Sequence, residues 1–169
     1  MRIIISAILF LTATLASAQA SFDPSTTEFP WKNGPTSDAT INLGEAGNSV
    51  FVFEAFANFC GACNANVGNV KAMVAEYAED TQVKFMDLGL DKSDRDYATW
   101  IRKHSPNHPV VQDVDKKVWN ALSNQNLIPQ VFVTDCTGHM LYNHIGSWDN
   151  SSKAAIRAAI AQAKETTCD

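Results

Sequence analysis

The chain has 169 residues, 46% of them hydrophobic, and a formal net charge of −5 at pH 7. That length suits one compact domain rather than two, and an acidic balance without a basic run argues against nucleic-acid binding, which selects basic surfaces. Its four cysteines are an even set, which an oxidising compartment would allow to pair.

The beginning of the chain has the pattern of a targeting segment. Arg2 supplies a positive charge, residues 3–15 form a short apolar run, and Ala16-Ser17-Ala18 is a small-residue cleavage site. The run is too short to span a bilayer comfortably. We therefore expect a signal peptide over residues 1–18, with cleavage after residue 20 and an uncleaved anchor as alternatives, and no stable membrane insertion of the mature protein. The expected location is the periplasm if the source is bacterial, and otherwise the secretory pathway or the exterior.

We predict an irregular lead-in over residues 19–47 and the folded domain over residues 48–169. The lead-in is rich in Pro, Ser, Thr, Asp, Asn and Gly, with a short strand or hairpin near residues 39–43. Residues 49–57 are almost continuously apolar, which is typical of a central strand buried on both faces. Residues 64–77 carry apolar side chains at 3.6-residue spacing and predict a helix.

The remaining sequence alternates between strand and helix patterns. The predicted elements are a strand over 82–90, a helix over 91–103 capped by Asp91, a short strand over 110–113, a helix over 116–123, a strand over 127–133, a turn over 135–138, a hairpin strand over 140–145 and a helix over 153–164 capped by Asp149 or Ser151. This order predicts an α/β fold with a central mixed sheet flanked by helices on both faces.

Two cysteines, Cys60 and Cys63, lie where the central strand gives way to the first helix. A helix N-terminus presents unpaired N–H groups and a positive dipole end, which favour a thiolate. The residue directly after Cys63 is Asn64 instead of the histidine that a c-type haem site needs, and no second ligand pair of similar spacing supports a zinc site. We therefore predict a redox-active pair without metal or cofactor, rather than a structural disulfide. Cys60 is the expected nucleophile, and Cys63 is the expected resolving thiol.

Glu54 interrupts the apolar strand, and an isolated carboxylate there is costly to bury. One interpretation is that it reaches a sheet edge or pairs with a lysine such as Lys71. The other is a desolvated carboxyl near Cys63, with a raised pKa, that moves a proton when the second thiol is activated.

Pro129 begins a predicted strand, where a missing N–H is tolerated. A cis bond after Ile128 is the functional alternative. It would place a backbone edge beside the dithiol, available to pair with a substrate peptide.

The segment 54–63 followed by a helix resembles the active-site stretch of the thioredoxin superfamily. Pro129 matches the position of that family's cis-proline, ahead of a β-hairpin and a terminal helix. The resemblance covers residues 39–164, and the extra helix and strand before the proline are similar to the exported TlpA/ResA-like branch. It implies a thioredoxin fold, with Glu54 as the buried acid.

The resemblance also implies exchange of disulfides with protein cysteines, and a redox partner that recharges the dithiol. The substrate would then meet a surface formed by Gly61, Ala62, Ile128 and Pro129. The chain departs from the pattern in two places: Gly61-Ala62 lacks the proline usual in thioredoxin, and Asn66 stands near the place where ResA-like proteins carry an acid. The signature of peroxiredoxins is absent around Cys60, which disfavours a peroxidase.

Topology predicts the location of the other two cysteines. The strand from Pro129 starts beside the dithiol, so the turn that follows it lies at the opposite pole. A strand of about 7 residues and a helix of about 15 both span roughly 22 Å, so the last helix returns the chain to that turn. We therefore expect a structural Cys136–Cys168 disulfide, with two free or intermolecular thiols as the alternative.

Two functions follow from these patterns. The first is an exported thiol–disulfide oxidoreductase acting on protein substrates through Cys60 and Cys63. The second is a thioredoxin-fold binding or chaperone-like module in which the same disulfide is static.

Overall fold

The computed structural model describes residues 20–168, and the predicted signal peptide lies outside them. The elements, in chain order, are β1 (Glu28–Pro30), β2 (Thr40–Asn42), β3 (Val50–Phe56), α1 (Gly61–Glu76), β4 (Val83–Gly89), α2 (Asp94–His104), β5 (Val110–Gln112), α3 (Lys117–Leu122), β6 (Gln130–Thr134), β7 (Met140–Ile145) and α4 (Asn150–Ala163). Across this part of the chain, no helix combines the length and the apolar character needed to cross a membrane.

Five strands form one mixed sheet in the order β5-β4-β3-β6-β7. Strand β3 pairs in parallel with β4, which pairs in parallel with β5, whereas β6 runs antiparallel to both β3 and β7. Every residue of β3 is buried, as its continuous apolar run predicts. The predicted α/β fold with a mixed sheet is confirmed.

Side chains alternate between the two faces of β3, so two cores form. On one face, Val50 and Val52 pack with residues of α1 and α4 such as Met73 and Ile160. On the other face, Phe51 and Phe53 pack with α3 and with the lead-in, which contributes the buried residues Phe22, Phe29 and Leu43. The lead-in is more regular than its composition indicates, because β1 and β2 pair as a small antiparallel sheet.

Three helices begin three residues away from their predicted starts, and the first is α1, which begins at Gly61, with Cys60 as its cap, rather than at residue 64. Helix α2 begins at Asp94 with Ser93 as its cap, so the prediction that Asp91 caps it is wrong. The Asp91 carboxylate instead accepts a hydrogen bond of 2.7 Å from the backbone N–H of Asn58, which joins the loops after β4 and β3. Helix α4 begins at Asn150, three residues earlier than predicted, where Asp149 forms a capping box with Ser152.

The turn between β6 and β7 is covalently tied to the end of the chain. Cys136 and Cys168 form a disulfide with Cα atoms 6.1 Å apart. Within the turn, one Asp135 oxygen accepts hydrogen bonds from the backbone N–H groups of Thr137 and His139. The bond lies at the far end of β6 from Pro129, and a structural task for it is our prediction.

Replacing Cys136 and Cys168 together by alanine is expected to lower the free energy of unfolding by about 3 kcal/mol. The disulfide closes a loop across 32 positions of sequence, and losing that restraint increases the entropy of the unfolded chain. Urea denaturation of the oxidised proteins measures the difference. Adding reductant to the double variant tests whether the Cys60–Cys63 disulfide also contributes to stability. A double variant with the same urea midpoint as the parent protein would contradict a structural task for Cys136–Cys168.

Candidate active site

The Cys60–Cys63 pair lies at the N-terminus of α1 as a disulfide, with Cα atoms 5.3 Å apart. Cys60 is the N-cap residue, and its sulfur accepts a hydrogen bond of 3.1 Å from the backbone N–H of Cys63. That N–H and the positive end of the helix dipole would stabilise a Cys60 thiolate after reduction. Cys60 is less accessible than the sequence suggests, at 8% exposed, but it remains more accessible than Cys63, at 2%.

An apolar cluster surrounds the two sulfurs. Phe56 at the end of β3 stacks on Trp100 of α2 with ring centroids 4.1 Å apart. Both rings belong to the cluster that contains Cys60 and Cys63, and Ile128 packs against it. Low polarity of this kind holds water away from the disulfide on its inner side, so exchange must occur from the outer side.

Ile128 packs against the apolar cluster that contains the dithiol, and Pro129 is the next residue, although 66 positions separate Pro129 from Cys63 in the sequence. The Ile128–Pro129 peptide bond is cis. The Pro129 carbonyl accepts a hydrogen bond of 2.9 Å from Gly146, which anchors the start of β6 to the end of β7. This loop and the Cys60 end of α1 therefore line one surface.

Gly61 and Ala62 are exposed on the first turn of α1. A Cβ atom built on Gly61 would meet no other atom within 4 Å, so the space outside the disulfide is open. Phe59, beside Cys60, is 84% exposed, and Leu127, before Ile128, is 54% exposed. Sequence analysis missed these two apolar side chains, and only their proximity to the predicted dithiol and proline could have indicated them.

Glu54 lies in the middle of β3 and is 5% exposed. Its Oε1 atom accepts a hydrogen bond of 2.7 Å from the side-chain amide of Asn66. The predicted alternative of a pair with Lys71 is wrong, because the Lys71 ammonium donates to the carbonyl groups of His104 and Ser105. Asn66 is one helical turn after Cys63 on the buried side of α1, which places the Glu54 carboxyl close behind Cys63.

The environment of Glu54 favours its neutral form. The pKa of Glu54 is raised to about 8, chiefly by burial and to a smaller extent by the nearby Asp87, whereas the Asn66 amide opposes the rise. Within residues 20–168, the Oε2 atom makes no well-formed hydrogen bond. The indole N–H of Trp148 is also unpaired there, and it lies near enough to Glu54 to lower the pKa. The carboxyl thus combines a raised pKa with a position near Cys63.

Sequence reasoning missed the polar residues that surround Glu54. Asp87 is its direct neighbour on β4 and is also buried. The signal for Asp87 is the same as for Glu54, an acid inside an apolar strand. Asn66 was noted only as a departure from a family pattern, yet it links Glu54 to the loop before α4 by accepting a hydrogen bond of 2.9 Å from the backbone N–H of Trp148.

Comparison with solved structures gives many matches that cover most of the chain. A proposed thiol:disulfide interchange protein DsbE from Chlorobium tepidum is 20% identical, with a TM-score of 0.67, over 87% of this chain and 99% of that one. StoA from Bacillus subtilis is 15% identical, with a TM-score of 0.60, over 78% and 95%. The chain has the thioredoxin fold. No family model matches the sequence, and no curated protein matches it significantly.

A third matching structure has the name of a different class of enzyme. Peroxiredoxin Q from Xanthomonas campestris is 14% identical, with a TM-score of 0.63, over 83% of this chain and 93% of that one. Identities this low establish the fold alone, so the choice between activities depends on the residues at the site. Those residues are a paired Cys60 and Cys63, a cis-proline and a buried acid, which together suit thiol–disulfide exchange.

Proposed function

We propose that the protein is an exported thiol–disulfide oxidoreductase that exchanges disulfides with protein cysteines and uses no bound cofactor. The observation that carries the proposal is the Cys60–Cys63 disulfide, which caps a helix of 16 residues and shares an apolar cluster with Ile128. A disulfide between residues three apart closes a very short loop and contributes little to loop restraint, so a structural role explains it poorly.

The proposed reaction begins from the reduced protein. The Cys60 thiolate attacks one sulfur of a substrate disulfide, which forms a mixed disulfide and releases the first substrate thiolate. Cys63 then loses its proton to the ionised Glu54 carboxylate and attacks the Cys60 sulfur. The second substrate thiolate leaves and takes up the proton that Cys63 gave to Glu54, the first takes up a proton from water, and the Cys60–Cys63 disulfide remains. Two electrons and one proton pass from the protein to the substrate, and a dithiol partner restores them by the reverse sequence.

Substrate proteins would bind across the open surface outside the disulfide. The cis-Pro129 loop would offer backbone atoms to an extended peptide, and Gly61 and Ala62 would leave room for the backbone of that peptide to approach. The exposed side chains of Phe59 and Leu127 would contact apolar residues that flank a substrate cysteine. This chemistry suits unfolded or partly folded proteins, whose apolar residues are accessible.

Export is part of the proposal and is supported by two features. The predicted signal peptide over residues 1–18 would direct the chain out of the cytosol. All four cysteines are paired, as expected in an oxidising compartment.

Equilibration with reduced and oxidised glutathione tests the function. We expect the Cys60–Cys63 pair to titrate reversibly as a two-electron couple, and we expect the reduced protein to accelerate the reduction of insulin by dithiothreitol. The midpoint potential also decides the direction of electron flow in the cell compartment. The double alanine variant of Cys136 and Cys168 is the matched control and should retain both behaviours. A pair that does not titrate, together with no insulin reduction, would favour the static binding module.

Replacing Phe59 by serine is expected to raise the KM for insulin several-fold. The rate at which dithiothreitol reduces the Cys60–Cys63 disulfide should stay unchanged. Fully burying a phenylalanine side chain contributes about 1.5–3 kcal/mol of free energy. A contact on an open surface buries only part of the side chain and therefore gives only part of that free energy. Steady-state kinetics with both reductant and protein substrate measure the two effects. An equal loss in the rate at which dithiothreitol reduces the Cys60–Cys63 disulfide would instead show that Phe59 affects the reactivity of the disulfide itself.

A further inference from the structure

A second buried carboxylate lies directly beside Glu54. Strands β3 and β4 pair in parallel with Glu54 opposite Asp87, so both side chains point to the same face of the sheet. The Oδ1 atom of Asp87 is 2.8 Å from Nε2 of His108, and both side chains are almost fully buried. The Oδ2 atom accepts a hydrogen bond of 2.9 Å from the indole N–H of Trp100. Two acids and one histidine therefore share a site with little access to water.

The hydrogen bonds of Asn107 orient the His108 ring beside Asp87. The Asn107 amide nitrogen donates to the Lys71 carbonyl at 3.3 Å, which fixes the amide orientation. Its Oδ1 atom therefore faces Nδ1 of His108, 3.1 Å away, and must accept a hydrogen from it. Within residues 20–168 Nε2 makes no well-aligned hydrogen bond, but its approach of 2.8 Å to the Asp87 carboxylate requires a second hydrogen between the two atoms. The pair holds that hydrogen either as imidazolium and carboxylate or as imidazole and carboxylic acid, and in both forms its net charge is zero.

This pair is connected to the dithiol on the same side as Glu54. Trp100, which donates to Asp87, packs in the apolar cluster that contains Cys60 and Cys63. Glu54 reaches the same cysteines through Asn66, one turn after Cys63. Any change of charge on Asp87 thus acts at short range, in a medium of low polarity, on the carboxyl proposed to accept the Cys63 proton.

Other charged groups on this face have partners of their own. In the described part of the chain none of them hydrogen-bonds to either carboxylate. They are Lys71, bound to the carbonyls of His104 and Ser105; Lys103 and His104, bound to the Asn64 side chain; and His144 on β7, bound to the Ser147 carbonyl. His108 is therefore the group in contact with Asp87 that can neutralise its charge.

We propose that His108 is a positioning residue that neutralises Asp87 by sharing a proton with it, and thereby allows Glu54 to ionise behind Cys63. Without His108, a full negative charge on Asp87 would oppose a second charge on Glu54, because two adjacent buried carboxylates do not ionise together readily. The inference deepens the proposed function and rests on it for the role of Glu54 in exchange. The effect on Glu54 itself follows from the local geometry alone.

Carbon-13 NMR of side-chain carboxyl groups tests the inference in the oxidised protein. Because this titration needs no substrate and no turnover, its outcome is independent of whether the protein exchanges disulfides. We expect His108→Gln to raise the midpoint of Glu54 by about one pH unit or more, because it leaves the charge of Asp87 uncompensated, and we expect Asp87→Asn, which removes a pair of zero net charge, to shift it by much less. If His108 acts through Asp87, the double variant should match Asp87→Asn. His139→Gln, at the distant β6–β7 turn, is the matched control and should leave the midpoint unchanged.

Each result decides the inference. An upward shift in His108→Gln that is absent from Asp87→Asn and from the double variant supports it. An unchanged Glu54 midpoint in His108→Gln, or a double variant that keeps the upward shift, overturns it. If His108→Gln does not fold, Asp87→Asn still decides, because the amide keeps the shape of the carboxylate and a downward shift of a full pH unit or more would show that His108 does not neutralise Asp87. A loss of stability without any change in midpoint would assign the pair a purely structural role.

Discussion

Replacing Cys60 by serine is expected to lower the rate of insulin reduction by at least about a thousandfold. Serine keeps the size and the capping hydrogen bond, but its hydroxyl is a far weaker nucleophile at neutral pH than a thiolate stabilised by a helix N-terminus. The folded structure should persist, because the substitution replaces one sulfur atom by oxygen in a side chain that is 8% exposed. Turbidity of precipitating insulin measures the rate, and circular dichroism checks the fold.

Cys63→Ser is the matched variant, and it should fail at a different step. Cys60 can still attack, but the mixed disulfide lacks the thiol that resolves it. We therefore expect Cys63→Ser to accumulate a covalent complex with substrate proteins, visible on non-reducing gels and removed by dithiothreitol. The same complex should be absent with Cys60→Ser. If Cys63→Ser loses the ability to form it and Cys60→Ser retains it, the roles assigned to the two cysteines are reversed.

Replacing Glu54 by glutamine is expected to stabilise the oxidised protein at high pH by up to about 5 kcal/mol. The carboxyl ionises near pH 4.5 in the unfolded chain and near 8 in the folded protein. The stabilisation from its neutral form is fully present below pH 4.5, and it is lost as the pH rises towards 8, because only the unfolded state releases the proton in that interval. Glutamine has no proton to release and should avoid this loss.

Urea denaturation at several pH values measures the effect. The difference between Glu54→Gln and the parent should be small near pH 4.5, increase up to about pH 8 and then remain constant. Glu79→Gln, at an exposed position beyond α1, should show no such pH dependence. A Glu54→Gln difference that does not vary with pH would contradict a raised pKa. A difference of opposite sign would indicate that Glu54 is ionised and paired in the folded state.

Much of this protein follows from local sequence patterns. The apolar run of β3 predicts a strand buried on both faces, and the apolar spacing of α1 predicts a helix packed along one side, because each pattern repeats with the period of its own backbone geometry. The dithiol at their junction and the proline before β6 also mark the site locally, because each can be recognised from a few neighbouring residues. Helix starts are harder to predict, as Asp91 and Ser93 show, since both are good caps and the choice depends on a contact with Asn58.

The environment of the dithiol was decided only by the tertiary structure. Glu54, Asp87 and His108 lie on or beside three different strands, and their proximity depends on the register of a parallel sheet that no single segment specifies. The same holds for the exposure of Phe59 and for Lys71, which reaches backbone carbonyls instead of Glu54. Local periodicity determines which residues are buried and in which element. The charge state of a buried acid depends on its neighbours in space, which long-range packing alone brings together.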